Sequence, residues 1–209
     1  MNIAGSTVPL TEKIKLLGVT IDENLSFNAH IAALCQASYY HIRALRHIRG
    51  SLTLNAAKSI ACSLVASKID YANSVLYGIN AKNLNRLQVM QNSLARVVMN
   101  APRLTSTKSL FEQLHWLPIQ HRISYKVATL TYKCRNNMAP LYLSNMISGY
   151  VPSRTLRSST QNQLVSSVHE VFMCPSQQSG TPSLRMFVLC HLSAFLKSIL
   201  KPFITAKPF

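Results

Sequence analysis

Carboxylate side chains could support nucleotide transfer if several of them converged on two Mg²⁺ ions about 3.5–4 Å apart. The sequence of 209 residues contains six acids, and Asp22 and Glu23 are the only adjacent pair. That pair falls in a predicted turn, whereas Asp70 and Glu112 stand singly on predicted helices. The acids therefore predict no catalytic site, no metal and no cofactor, and we expect that the chain is not an enzyme.

Histidine and cysteine spacing predicts no metal or catalytic site either. His115 and His121 flank a Trp-Leu-Pro sequence, but a separation of six residues does not place both on one face of a helix. A structural turn is the preferred interpretation over a ligand or catalytic role. The five cysteines include no C-x-x-C pair, which favours reduced, buried thiols over disulfides or zinc ligands.

Basic residues dominate the charge of the chain. The 22 lysines and arginines give a net charge of +16, which is typical of proteins with a polyanionic partner. We expect RNA or DNA, bound through phosphate contacts, and neither a membrane nor a small-molecule substrate. The sequence leaves the oligomeric state open.

Helical spacing collects several of these cations into rows. Arg122, Lys126 and Lys133 fall within about 40° of each other around a helix, and Tyr125 and Tyr132 flank them. Such a row could contact phosphates, with aromatic rings available to sugar or base. A solvated face is the alternative, but residues 25–69 contain no acid, whereas ordinary protein surfaces mix both signs. The candidate nucleic-acid-binding residues are Arg43, Arg46, Arg49, Lys82, Arg86, Arg122, Lys126 and Lys133.

These residues must be positioned by helices. Apolar spacing, caps and stop signals predict one strand over residues 13–22 and then a helix that starts near Ser26 or Asn28 and stops at Gly50. The further helices are predicted at residues 53–74, 81–99, 106–114 and 118–135, with a short helical turn at 140–147. The predicted fold class is mainly α: a basic helical bundle of about five helices with one leading β-strand and a weakly ordered C-terminal tail.

The chain divides into four predicted segments. Residues 1–12 form a flexible N-terminus, 13–150 the strand plus helical domain, 151–190 an irregular tail rich in Ser, Thr, Gln and Pro, and 191–203 an isolated amphipathic helix. The longest apolar run is about half of the ~20 residues that a membrane span requires. No signal peptide is predicted, so we expect an intracellular protein of the nucleus or cytoplasm that is not secreted.

Several segments, in the right order, resemble the region downstream of the catalytic palm in the reverse transcriptases of non-LTR (LINE-type) retrotransposons. They are residues 16–22 (LLGVTID), 25–27 (LSF), 41–49 (HIRALRHIR), 67–78 (SKIDYANSVLYG), 87–96 (LQVMQNSLAR), 114–123 (LHWLPIQHRI) and 139–143 (APLYL). The resemblance implies thumb-like helices that hold the template–primer. It also implies that the family's catalytic Asp-Asp lies upstream and has no counterpart here, which would make the chain a catalytically inactive fragment.

Two further hypotheses follow from the sequence. The first is an alternative function: a domesticated, non-enzymatic module for RNA binding or protein interaction. The second concerns residues 180–184 (GTPSL), which match a shifted reading frame of the family's Trp-Asn-Ser-Leu-Pro block. On that basis residues 168–191 are hypothesised to be translated in a shifted frame.

Overall fold

The computed structural model describes residues 2–3, 6–7, 12–145, 147–149 and 164–166. Most of the described chain is helical, which confirms the predicted mainly α class. The strands are β1 (Asn2–Ile3), β2 (Ser6–Thr7), β3 (Lys13–Leu16), β4 (Val19–Asp22), β5 (Ile147–Gly149) and β6 (Leu164–Ser166). The α-helices are α1 (Asn28–Ile48), α2 (Leu54–Ala61), α3 (Ser67–Asp70), α4 (Ala81–Met99), α5 (Thr107–Leu114), α6 (Ile119–Arg135) and α7 (Leu141–Ser144).

The segment predicted as one leading strand is a hairpin. Strands β3 and β4 pair antiparallel, and Leu17 and Gly18 at the tip both have positive φ (46° and 84°). A two-residue turn with two positive φ values matches the twist of a hairpin, but leucine rarely adopts it, so the turn escaped prediction. Val19 and Ile21 of β4 are buried, whereas every residue of β3 is exposed.

Asp22 joins the hairpin to α1. Its carboxylate accepts backbone hydrogen bonds from Ser26 (3.1 Å) and Phe27 (2.7 Å), immediately before the helix begins. Burial alone would raise the pKa of the Asp22 carboxyl, but these hydrogen bonds outweigh it, and the pKa lies below its ordinary value. The acid at the predicted turn is therefore used to start a helix.

Helices α1 and α4 lie side by side and run in the same direction. Near their first turns, the Asn83 amide donates to Oδ1 of Asn28 at 2.7 Å. Near their last turns, Nε of Arg49 donates to the carbonyl of Val98 at 2.8 Å. The two helices bury apolar faces in one core, to which Ile31, Ile42, Leu87 and Leu94 belong.

The helix predicted over residues 53–74 is shorter than expected. It consists of α2, a π-helical turn (Cys62–Ala66) and α3, and the hydroxyl of Thr53 caps its start by accepting from the Ala56 N–H at 3.3 Å. The helix ends because Tyr71 is extended and Ala72 adopts the left-handed conformation (φ 49°). A short 3-10 helix, Asn73–Leu76, follows.

Two glutamines of α4 fix the position of α6. The side-chain Oε1 of Gln88 accepts from the Ile119 N–H at 3.0 Å, and the side-chain Nε2 of Gln91 donates to the Leu117 carbonyl at 2.9 Å. Helix α6 buries Ile119, Ile123, Val127, Thr131 and Cys134.

Beyond α7 the structure describes only β5 and β6, which pair antiparallel. Ile147, predicted at the end of a helical turn, belongs to β5, and residues 164–166 of the predicted irregular tail form β6. The predicted helix at 191–203 and the frame-shift hypothesis for 168–191 lie outside the described residues, as does most of 151–190.

Candidate nucleic-acid interface

Helix α1 carries Arg43 and Arg46 on its exposed side, with Tyr39 one turn before Arg43 and 41% exposed. Arg49, which was predicted to join them, has another role. Its Nε bonds the carbonyl of Val98, and its Nη1 bonds the carbonyl of Leu52, each at 2.8 Å. Arg49 therefore ties the end of α1 to the end of α4, and two of its five N–H donors are used within the protein.

Helix α4 contributes Lys82 and Arg86, which are exposed and one turn apart. Arg86 lies close to Cys35 of α1: burial raises the pKa of the Cys35 thiol, and the positive charge of Arg86 opposes that rise. Because Cys35 precedes Tyr39 by one helical turn, Arg86 and the tyrosine lie along the same side of α1. We call the surface formed by Tyr39, Arg43, Arg46, Lys82 and Arg86 the α1–α4 face.

Helix α6 holds the other three predicted residues. Lys126 and Lys133 are exposed as expected, and Tyr125 and Tyr132 beside them are 67% and 63% exposed. We call these four residues the α6 row.

Arg122 differs from the lysines, because its Nε and Nη2 both donate to the carboxylate of Asp70 at the end of α3. Its side chain is only 19% exposed. Arg122 is therefore a structural link between helices, and its availability to a phosphate is low.

The two surfaces lie on different sides of α1. Cys35, which Arg86 approaches, and His41 are six residues apart, or about 120° around the helix. The ring of His41 contacts Lys68 of α3, with 2.8 Å between Nε2 and Nζ. Since α3 also holds Asp70, the partner of Arg122, α3 and α6 belong to the His41 side of α1. Sequence reasoning missed Lys68, an exposed cation whose position depends on this tertiary contact.

The acids of the described segments neutralise little of this charge. The Arg122–Asp70 contact is the one ion pair that the structure contains within residues 12–145, and the Asp22 carboxylate is occupied by backbone donors. The cations of the α1–α4 face and the α6 row have no carboxylate partner among the described residues, which favours an anionic ligand.

Within the described part of the chain, no cluster of three or more His, Cys, Asp or Glu residues could hold a metal ion. His115 ends α5 in the left-handed conformation (φ 56°), in agreement with the predicted structural turn. Among the described helices, none is long and apolar enough to cross a membrane.

No protein-family profile matches the sequence, and no solved structure matches it. The probable RNA-directed DNA polymerase from transposon BS of Drosophila melanogaster is 26% identical over 161 residues, which is 75% of this chain and 17% of that protein. The RNA-directed DNA polymerase from the mobile element jockey of Drosophila funebris is 32% identical over 114 residues, 53% of this chain and 12% of that protein. This chain is related to the polymerases of non-LTR retrotransposons.

The jockey polymerase of Drosophila melanogaster is also similar, with 28% identity over 118 residues and 13% of its length matched. The chain therefore spans less than a fifth of the length of these curated relatives. The expectation that the chain is not an enzyme is wrong on this comparison, because the relatives are named RNA-directed DNA polymerases. Scattered acids within one segment do not decide the activity of proteins that are several times longer.

Several residues of the resembling segments have structural partners. Asp22 starts α1, Asp70 binds Arg122, and Gln88 and Gln91 hold the start of α6. These contacts connect the segments with one another across the bundle. Residues of the resembling segments therefore make contacts that fix the helices on which the basic surfaces lie.

Proposed function

We propose that this chain supplies a nucleic-acid-binding part of an RNA-directed DNA polymerase, with the α1–α4 face as its phosphate-contacting surface. The supporting observation is that the exposed cations of this face, drawn from two parallel helices, have no carboxylate partner among the described residues. The relatives are named RNA-directed DNA polymerases, so the ligand we propose is the template–primer.

The α1 part of the face has a length that suits a phosphate backbone. Tyr39 and Arg46 are seven residues apart, or about 10 Å along the axis of α1, which is the axial length of about three phosphates on one strand. Arginine can hold a phosphate through two parallel N–H donors, whereas lysine acts as a point charge. The hydroxyl of Tyr39 adds a neutral donor for a sugar or phosphate oxygen.

The α6 row is proposed as a second contact surface for the same nucleic acid. Lys126 and Lys133 lie two turns apart along the helix, and exposed tyrosine rings beside them could stack on unpaired bases. We propose that both surfaces belong to one domain, residues 13–150, since the contacts from Asp70 and Gln88 to α6 join its two halves.

The test is binding of the full chain to an RNA–DNA hybrid, a DNA duplex and a single-stranded RNA across a salt titration. In a triple variant, the cations of the α1–α4 face lose their charge but keep a polar side chain: Arg43→Gln, Arg46→Gln and Arg86→Gln. Each lost phosphate contact should reduce the slope of log affinity against log salt by about 0.9 on a duplex. The triple variant should therefore lose a slope of up to about 3.

A matched control removes the same charge elsewhere on the surface, through Lys13→Gln, Lys15→Gln and Arg103→Gln. These side chains are exposed and lie outside both proposed surfaces. The control should leave most of the slope intact. An equal loss in both variants would mean that net charge alone attracts the nucleic acid, and a folded chain that binds none of the three ligands would refute the proposal.

A further inference from the structure

An open groove of about 900 Å³ lies between α4 and α5 and is closed at one end by the Trp116–Pro118 turn and the start of α6. Asn92 on its α4 wall is about 180° around that helix from Asn83, which contacts α1. The groove is therefore on the side of α4 that faces away from α1, and Arg86 is about 120° around α4 from Asn92. Its volume is in the range of small-ligand sites, about 300–1,000 Å³.

The α4 wall and the closed end of this groove are held together before any ligand binds. Gln88 fixes the Ile119 N–H at 3.0 Å, and Gln91 fixes the Leu117 carbonyl at 2.9 Å. The two bonds connect the first residue of α6 and the Trp116–Pro118 turn, respectively, to α4. A preformed site of this kind loses less conformational entropy on binding than a site that must be assembled.

The polar groups that line the groove are mostly unused donors. Within the described residues, the ammonium of Lys108, the indole N–H of Trp116 and the imidazoles of His115 and His121 have no hydrogen-bond partner. The amide oxygen of Asn92 accepts from Gln88 at 2.9 Å, which leaves the Asn92 amino group free. Such a set suits a ligand that is rich in acceptors.

Glu112 is the single acid in the groove, and it has no ion-pair partner among the described residues. A carboxylate repels phosphate, but it accepts well from the exocyclic amino group of cytosine or adenine. Donors for phosphate, an aromatic wall and one acceptor for a base edge therefore occur together. These are the contacts that one unpaired nucleotide requires.

We propose that this groove binds a single unpaired nucleotide of an RNA or DNA strand, as a site separate from the α1–α4 face. The base lies against Trp116 and the neighbouring apolar wall, the carboxylate of Glu112 accepts from its exocyclic amine, and Lys108 contacts a flanking phosphate. The inference does not depend on the proposed template–primer surface, because a short strand could occupy the groove alone.

Trp116 makes the test direct, because it is the only tryptophan in the chain. Its fluorescence is recorded while the full chain is titrated with tetracytidylate, tetrauridylate or tetralysine. Stacking of a base should quench the emission in a saturable way, with tetracytidylate bound more tightly than tetrauridylate. Lys108→Gln should weaken tetracytidylate about three- to tenfold, as expected for one charged contact, and Glu112→Gln should bring the two oligonucleotides to equal affinity.

The α1–α4 triple variant is the control, and its quenching by tetracytidylate should match that of the wild type. All of these substitutions are at exposed positions, so circular dichroism should report unchanged folds. No change in Trp116 emission at saturating tetracytidylate would overturn the proposal, even if a long duplex still bound elsewhere. Quenching by tetralysine instead would identify a peptide groove and would also overturn it.

Discussion

The link between Asp70 and Arg122 allows a quantitative test of how the bundle is held. Two parallel hydrogen bonds join α3 to α6. The Asp70 side chain is 42% exposed, and the Arg122 side chain is 19% exposed. Exposed ion pairs contribute about 0.2–1 kcal/mol, whereas loss of one partner of a buried pair costs about 3–5 kcal/mol. For this half-buried pair we expect Asp70→Asn to reduce the free energy of unfolding by about 1–2 kcal/mol.

The assay is a double-mutant cycle with Asp70→Asn, Arg122→Gln and the double variant, measured by urea unfolding. The coupling energy should reach about 1 kcal/mol, and Asp70→Asn should lower Tm by about 3–6 °C. A coupling energy below about 0.3 kcal/mol would refute the reasoning, since independent sites add within that error. Arg122→Gln should also weaken nucleic-acid binding no more than Arg103→Gln does, because Arg122 already has a carboxylate partner.

Three further outcomes are expected. Gln91→Ala should reduce the free energy of unfolding by about 1–3 kcal/mol in urea, because it leaves the Leu117 carbonyl without its donor; no loss would show that water replaces the amide. The Asp22 pKa lies below its ordinary 3.8, so its contribution is complete above that pH and is lost as the pH falls through the folded-state pKa. Asp22→Asn should therefore flatten the acid side of the stability profile, and an unchanged profile would contradict this. Ala72→Gly should raise the stability by up to about 1 kcal/mol, because it relieves a left-handed alanine; a lower Tm would count against strain at that position.

Local signals in the sequence predicted the helices that have clear ends. Helix α4 occupies 81–99 as predicted, with Asn80 accepting from the Asn83 N–H at 2.8 Å to cap it. Helix α6 starts one residue after the predicted Pro118, and Gly50 lies just beyond the end of α1. Capping and stop residues act within one or two turns, so one sequence contains the necessary information.

The misses were at positions where an ordinary residue takes a conformation that its type does not favour. Leu17 turns the hairpin and Ala72 ends the α3 segment, both at positive φ. Asn or Gly is common at such positions, and its absence removed the signal. The two irregular turns are connected by a tertiary contact, because the Tyr71 hydroxyl donates to the Leu17 carbonyl at 2.8 Å.

The sequence predicted the candidate site only in part. Helical periodicity identified Arg43, Arg46, Lys126 and Lys133 as exposed cations, because exposure on a helix depends on its own apolar face. It could not separate them from Arg122, whose carboxylate partner is 52 residues away in the sequence. The difference between a cation that binds phosphate and one that joins helices is thus a property of the tertiary structure.

Residues that fix the helices and exposed cations of the basic surfaces should respond differently to substitution. Residues such as Asp22, Gln88 and Gln91 engage backbone groups, so a change at any of them should act on folding first and on binding only through it. The exposed arginines and lysines have few partners, so their loss should alter binding and leave unfolding almost unchanged. Measuring both quantities on the same variants would therefore separate framework residues from contact residues, and Arg122 is the position where the two interpretations predict opposite results.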